Sequence, residues 1–84
     1  MNSFHRAALE VKELKRRPSN PELLLLYGYF KQGTVGDVVG KRPGRFAMKK
    51  RAKFDAWAAN SGMLMPQAQN KYVELVQQLK QKYG

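Results

Sequence analysis

Tyr27, Phe30 and Lys31 stand at i, i+3 and i+4, a spacing that puts two rings and an ammonium on one helical face. A flat ring beside a cation suits a ligand that carries both a stackable base and a phosphate. The stretch runs on as Tyr27-Gly28-Tyr29-Phe30-Lys31-Gln32-Gly33-Thr34-Val35-Gly36-Asp37 and breaks at its glycines. Farther along, Arg51-Ala52-Lys53-Phe54-Asp55-Ala56-Trp57 supplies a second set of cations and rings. Together they point to a nucleotide-headed ligand. The competing reading makes the rings packing residues and the lysine a solvated charge, since aromatics at helical spacing usually build cores.

Other chemistry is scarce. The one histidine, His5, sits near a terminus with no evident partner and reads as a surface imidazole. Asp37 and Asp55 read as isolated carboxylates, too few for a metal site. Gly40-Lys41-Arg42 resembles a phosphate loop but fails, because Val35 occupies the first glycine position and Arg42 replaces the Ser or Thr. Cysteine is absent, which removes a thiol nucleophile and a disulfide framework and fits a reducing compartment. The expectation is a binding protein with no catalytic residues, no metal and no cofactor.

The chain has 84 residues, enough for one domain, read here as a single unit over 1–84. So small a domain holds a ligand more readily in a surface groove than in a sealed cavity. Sixteen Lys and Arg against six Asp and Glu give a net charge of +10, which predicts anionic partners. Lys41, Arg42, Arg45, Lys49, Lys50, Arg51 and Lys53 crowd one region, and Lys12, Lys15, Arg16 and Arg17 form a smaller group. Most of these individually read as solvated. The run Leu23 to Leu26 is far below the roughly 20 apolar residues a membrane helix needs. With no signal peptide or lipidation motif in view, a cytoplasmic, monomeric protein is expected.

Four helices must position these groups. In the first, Phe4, Ala7, Ala8, Val11 and Leu14 form an apolar stripe that Pro18 ends, with Arg6, Glu10 and Glu13 turned outward. The second starts at Ser19-Asn20-Pro21-Glu22, a capping box in waiting, and runs to about Lys31, with Gly33 and Gly36 marking its end. Thr34 to Phe46 carries Gly36, Gly40, Pro43 and Gly44 without periodicity and reads as a long connection. A third helix covers about Met48 to Asn60. The fourth shows Ala68, Tyr72, Leu75, Val76, Leu79 and Tyr83 on one stripe, but Leu64 and Met65 before Pro66 supply no polar cap.

These residues resemble the acyl-CoA-binding protein family over essentially the whole chain. The matching pieces are Phe4 with Ala7-Ala8, Val11-Lys12, Leu14-Lys15, Pro18, Tyr27, Lys31-Gln32 and Thr34-Val35-Gly36-Asp37. They continue as Arg42-Pro43-Gly44, Lys49, Ala52-Lys53, Asp55-Ala56-Trp57, Gly62, Tyr72, Leu79 and Lys82-Tyr83-Gly84. The resemblance implies an all-α four-helix bundle of up-down-down-up topology that binds long-chain fatty acyl-CoA without turnover. It implies that Tyr27, Lys31 and Lys53 hold the ribose 3′-phosphate and that Phe30 stands where a tyrosine packs on adenine. Lys12, Lys49 and Tyr72 match further head-group contacts, Gly28 and Tyr29 in the same segment are expected to bind the head group with them, and Leu23 and Leu24 match the acyl groove.

Several positions depart from that pattern. Phe30 keeps a stacking surface but loses a hydroxyl. Phe54 stands where many relatives carry tryptophan. Leu64 replaces a capping serine, so the start of the fourth helix is expected to fray. Lys41, Arg45, Lys50 and Arg51 make the connection and third helix unusually basic. The other classes weighed are a basic helical nucleic-acid-binding module, for which no helix-turn-helix or aromatic RNA motif is found, and a membrane-docking domain. Transient contact with anionic membrane surfaces is compatible with the carrier; nucleic acid is not expected as a partner.

Overall fold

A computed structural model describes residues 2–84. Among them the elements are α1 (Ser3–Glu10), a short 3-10 turn (Val11–Glu13), α2 (Asn20–Thr34), α3 (Met48–Ala58) and α4 (Met65–Tyr83). The Asn2 side chain caps α1 by accepting the His5 N–H at 2.9 Å. The helix is shorter than its apolar stripe: at Val11 it tightens into the 3-10 turn, and Leu14 is already extended. The turn still keeps Val11 and Leu14 packed on the core margin, which is why the sequence pattern runs past the α-helical hydrogen bonds.

At α2 the capping box forms as expected. Ser19 Oγ accepts the Glu22 N–H at 3.3 Å, and Glu22 Oε1 accepts the Ser19 N–H at 2.8 Å. Gly33 does not end the helix, which continues through Thr34; the break comes at Gly36, where φ is +97°. Gly33 serves a close approach instead, since a Cβ there would meet Gln69 Cγ at 3.0 Å. α3 stops at Ala58, and the chain turns through Gly62 at φ +91°. Leu64 indeed gives α4 no side-chain cap, and the helix begins with Pro66 in its first turn.

The helix directions follow from which ends meet. The Lys15 N–H donates to the Tyr83 carbonyl at 3.2 Å, and Lys80 pairs with Glu10 at 2.8 Å, so α1 and α4 run parallel. Glu22 meets Tyr83 while Gly33 meets Gln69, so α2 is antiparallel to α4. Gly28 lies against Ala56 and Lys31 against Trp57, so α2 and α3 are parallel and need the long connection between them. This is the up-down-down-up bundle.

Phe4, Ala7, Leu26, Tyr72, Val76 and Leu79 form the buried core, with Ala8, Val11, Leu14, Leu23, Tyr29 and Val73 among the residues packed around it. Its rings meet edge to face, Phe4 and Tyr72 with centroids 5.2 Å apart. The long connection is tied down at three points. Trp57 Nε1 donates to the Gly36 carbonyl at 2.7 Å, Asp37 accepts the Gly62 N–H at 2.8 Å, and Arg42 forks onto Asp55 at 2.8 and 2.7 Å. Asp37 and Asp55 are therefore not isolated: both are spoken for by the loop, which is why neither is free to act elsewhere.

Candidate ligand-binding groove

Between α2 and α3 lies an open cavity of about 380 Å³. Leu23, Leu24, Met48 and Ala52 give it apolar walls, and Arg17, Asn20, Lys49 and Lys53 complete its lining. The parallel pairing of the two helices produces this arrangement. Leu23 and Leu24 follow the α2 cap by one turn, while positions 48, 49, 52 and 53 fall on one side of α3. Arg17, Asn20, Met48 and Ala52 were not singled out by sequence as lining residues. Arg17 donates to Asn20 Oδ1 at 3.1 Å, holding both polar groups at one end of the groove.

Tyr27 and Lys31 lie farther along α2 than Leu23 and Leu24, and each belongs to a lysine–ring pair between α2 and α3. The Lys53 ammonium lies 5.1 Å from the Tyr27 ring centre, and the Lys31 ammonium lies 4.8 Å from that of Trp57. Two lysines on different helices are thus held against rings beside one another's helix. Trp57 is itself buried and anchored by its bond to Gly36, so its ring is a fixed platform for Lys31.

Phe30 departs from the shared face. Its ring lies 5.6 Å from Phe4 and 5.8 Å from Tyr72, toward α1 and α4 rather than α3. The reason is angular: i+3 and i+4 lie about 100° apart around a helix. Because α2 sits between α3 and α4, that difference sends Phe30 and Lys31 to different neighbours. Phe30 remains 38% exposed, so its outer face is open to a ligand.

The other expected residues divide. Lys49 joins Leu23, Leu24 and Lys53 in the groove. Tyr72 is buried beneath Phe30, and burial raises its phenol pKa above the ordinary value. Tyr29 packs on the core margin, on the side of α2 away from Lys53, and is half-buried there. Gly28 is buried and has a packing role: a Cβ would come within 2.5 Å of the Ala56 carbonyl oxygen. Lys12 is exposed on the 3-10 turn, which packs on α4. Among the described residues no group of three or more His, Cys, Asp or Glu is placed to hold a metal ion, and no helix is long and apolar enough to cross a membrane.

A largely apolar cavity edged by Arg17, Lys49 and Lys53, with two lysine–ring pairs between the same helices, defines a small helical ligand-binding bundle. The family model described as Acyl CoA binding protein matches residues 1–76. The chain belongs to the acyl-CoA-binding protein family. It is 52% identical to Acyl-CoA-binding protein homolog 1 of Caenorhabditis elegans over 82 residues, covering 98% of this chain and 95% of the relative. It is 46% identical to the Acyl-CoA-binding protein of Dictyostelium discoideum, with both chains covered in full. The crystal structure of Oryza sativa Acyl-CoA-Binding Protein 2 superposes with a TM-score of 0.90 at 42% identity, covering 95% of this chain and 89% of the other.

Proposed function

We propose that this chain is a non-catalytic carrier that binds, buffers and delivers long-chain fatty acyl-CoA, acting as one acyl-CoA-binding domain over 1–84. The observation that carries this reading is the groove in which Leu23 and Leu24 meet Lys49 and Lys53. An acyl chain lies along the apolar walls, where each buried methylene contributes about 0.8 kcal/mol. The head group takes the cations. Lys31 and Lys53, with the Tyr27 hydroxyl, hold the 3′-phosphate through charge-assisted hydrogen bonds worth roughly 1.5–3 kcal/mol each. A phosphate competes directly with the Tyr27 and Trp57 rings for those ammonium groups.

Phe30 receives the adenine on its open face, with Tyr72 as its backing, and Lys12 and Lys49 supply further contacts to the head group. Gly28 contributes by letting α3 approach α2, and Tyr29 by seating α2 on the core. The protein acts as a cytoplasmic monomer, and contact with an anionic membrane is transient. No chemical step is assigned to any side chain.

Calorimetry tests the reading. One site for a long-chain acyl-CoA, much weaker binding of free CoA and little binding of free fatty acid are expected. Equal affinity for free fatty acid would overturn it, because the cations would then contribute nothing. A nucleic-acid role is separated by salt: duplex DNA held only by diffuse charge loses affinity steeply, whereas apolar burial of the acyl chain is not screened.

A further inference from the structure

Just before α3 the surface turns apolar in the middle of its densest positive charge. Gly44 to Ala47 form a tight turn, closed by the Ala47 N–H on the Gly44 carbonyl at 3.0 Å, with Arg45 and Phe46 at its tip. Phe46 is 88% exposed, and Met48, the first residue of α3, is 75% exposed. Neither belongs to the core or to the side chains packed around it. A single apolar residue in water would carry no message. Here a ring and a thioether stand two residues apart, with Arg45, Lys49 and Lys50 exposed among them. The Arg45 guanidinium lies 5.2 Å from the Phe46 ring centre.

We propose that the edge formed by Arg45, Phe46 and Met48 docks on an anionic phospholipid surface. The cations are drawn to the headgroup phosphates and carboxylates, and the ring and Met48 enter the boundary between headgroups and acyl chains. A net charge of +10 makes the long-range attraction complementary to such a surface. The position of the edge gives docking a use. Met48 and Lys49 also line the groove with Leu23 and Leu24, so a docked molecule turns the groove mouth toward the bilayer. An acyl chain then passes between bilayer and groove with little exposure to water; this use rests on the carrier reading, whereas docking itself does not. A nucleic acid would satisfy the cations but gives Met48 no apolar partner, so a lipid surface is the occupant that the side chains favour.

Sedimentation with vesicles tests the proposal, using phosphatidylcholine alone and phosphatidylcholine with about a third phosphatidylserine. Wild type should partition onto the anionic vesicles and not the neutral ones. Phe46→Ala and Arg45→Glu should each lower partitioning by about tenfold. Both should keep their helical circular dichroism, and both should bind acyl-CoA in calorimetry within about twofold of wild type. Partitioning that Phe46→Ala leaves unchanged, or equal binding to neutral vesicles, would overturn the docking edge. So would parallel loss of acyl-CoA binding in Phe46→Ala, which would make the ring part of the groove. Phe46-dependent binding of a single-stranded oligonucleotide in preference to the vesicles would replace lipid with nucleic acid. If wild type docks through Phe46 yet binds no acyl-CoA, the docking edge stands and the carrier reading falls.

Discussion

A Cβ placed on Gly28 would lie 2.5 Å from the Ala56 carbonyl oxygen, so α2 and α3 meet where there is no room for a side chain. That contact sets the separation of the two helices whose facing sides make the groove. The obstructing atom is backbone, which cannot swing aside as a side-chain tip would. Gly28→Ala should therefore destabilise the bundle by about 1–3 kcal/mol, outweighing the gain of up to about 1 kcal/mol in helix propensity. Urea unfolding measures it. A more stable variant would mean that the helices separate freely and that the groove width is not set here.

Gln32 is a second internal constraint. It is fully buried, and its Nε2 donates to Asp37 Oδ1 at 2.9 Å and to the Met63 carbonyl at 2.8 Å, joining both loops to α2. Gln32→Ala should cost about 1–3 kcal/mol by leaving the Met63 carbonyl without its donor. Gln32→Glu should be worse at neutral pH, because it sets a buried carboxylate beside Asp37. Its pKa would be raised in the folded state, so folding binds a proton and stability recovers as the pH falls from 7 toward 5. Denaturant melts at the two pH values check this; a variant indifferent to pH would contradict it.

Glu22 joins the C-terminal end of α4 to the start of α2. It accepts the Tyr83 hydroxyl at 2.6 Å, the Ser19 N–H at 2.8 Å and the Lys82 ammonium at 3.0 Å. The Tyr83 bond, then that of Ser19, lowers its pKa from 4.5 to about 2. A carboxyl depressed on folding stabilises fully above its unfolded pKa and loses that contribution as pH falls through the folded value. The loss thus falls between pH 4.5 and about 2. Glu22→Gln should be less stable than wild type at pH 7 and should show a shallower acid decline in thermal melts. An acid limb of unchanged slope would assign it to other carboxylates, of which Asp37 and Asp55 are also held below their usual range.

Much of the bundle was legible because its signals are local. Ser19 and Glu22 three residues apart announce a capping box, and the stripe Ala68, Tyr72, Val76 and Leu79 announces a buried face. Gly33 misled, since glycine ends a helix in one setting and admits a neighbour in another, and only Gln69, far along the chain, tells which. The same limit applies to Asp37 and Asp55, whose partners Gly62 and Arg42 are distant in sequence. In the groove, Leu23, Leu24, Lys49 and Lys53 were legible through family resemblance, whereas Arg17, Asn20, Met48 and Ala52 join them only through helix packing. The turning of Phe30 away from Lys31 depends on α2 lying between two neighbours, which no i+3, i+4 spacing reports.

If Lys31 and Lys53 clamp the 3′-phosphate, a thermodynamic cycle with acyl-CoA and dephospho-acyl-CoA will register the coupling. Lys31→Ala and Lys53→Ala should each weaken acyl-CoA binding by about 1.5–3 kcal/mol, roughly ten- to a hundredfold, without unfolding the protein. Wild type should lose affinity when the 3′-phosphate is removed, and each variant should lose far less, because its partner for that phosphate is already gone. Lys50→Ala, an exposed lysine outside the groove lining, controls for bulk charge and should retain the wild-type response to the phosphate. Coupling confined to Lys31 and Lys53 is the predicted result. Equal weakening by Lys50→Ala and Lys53→Ala, with no coupling to the phosphate, would contradict the clamp and leave diffuse attraction in its place.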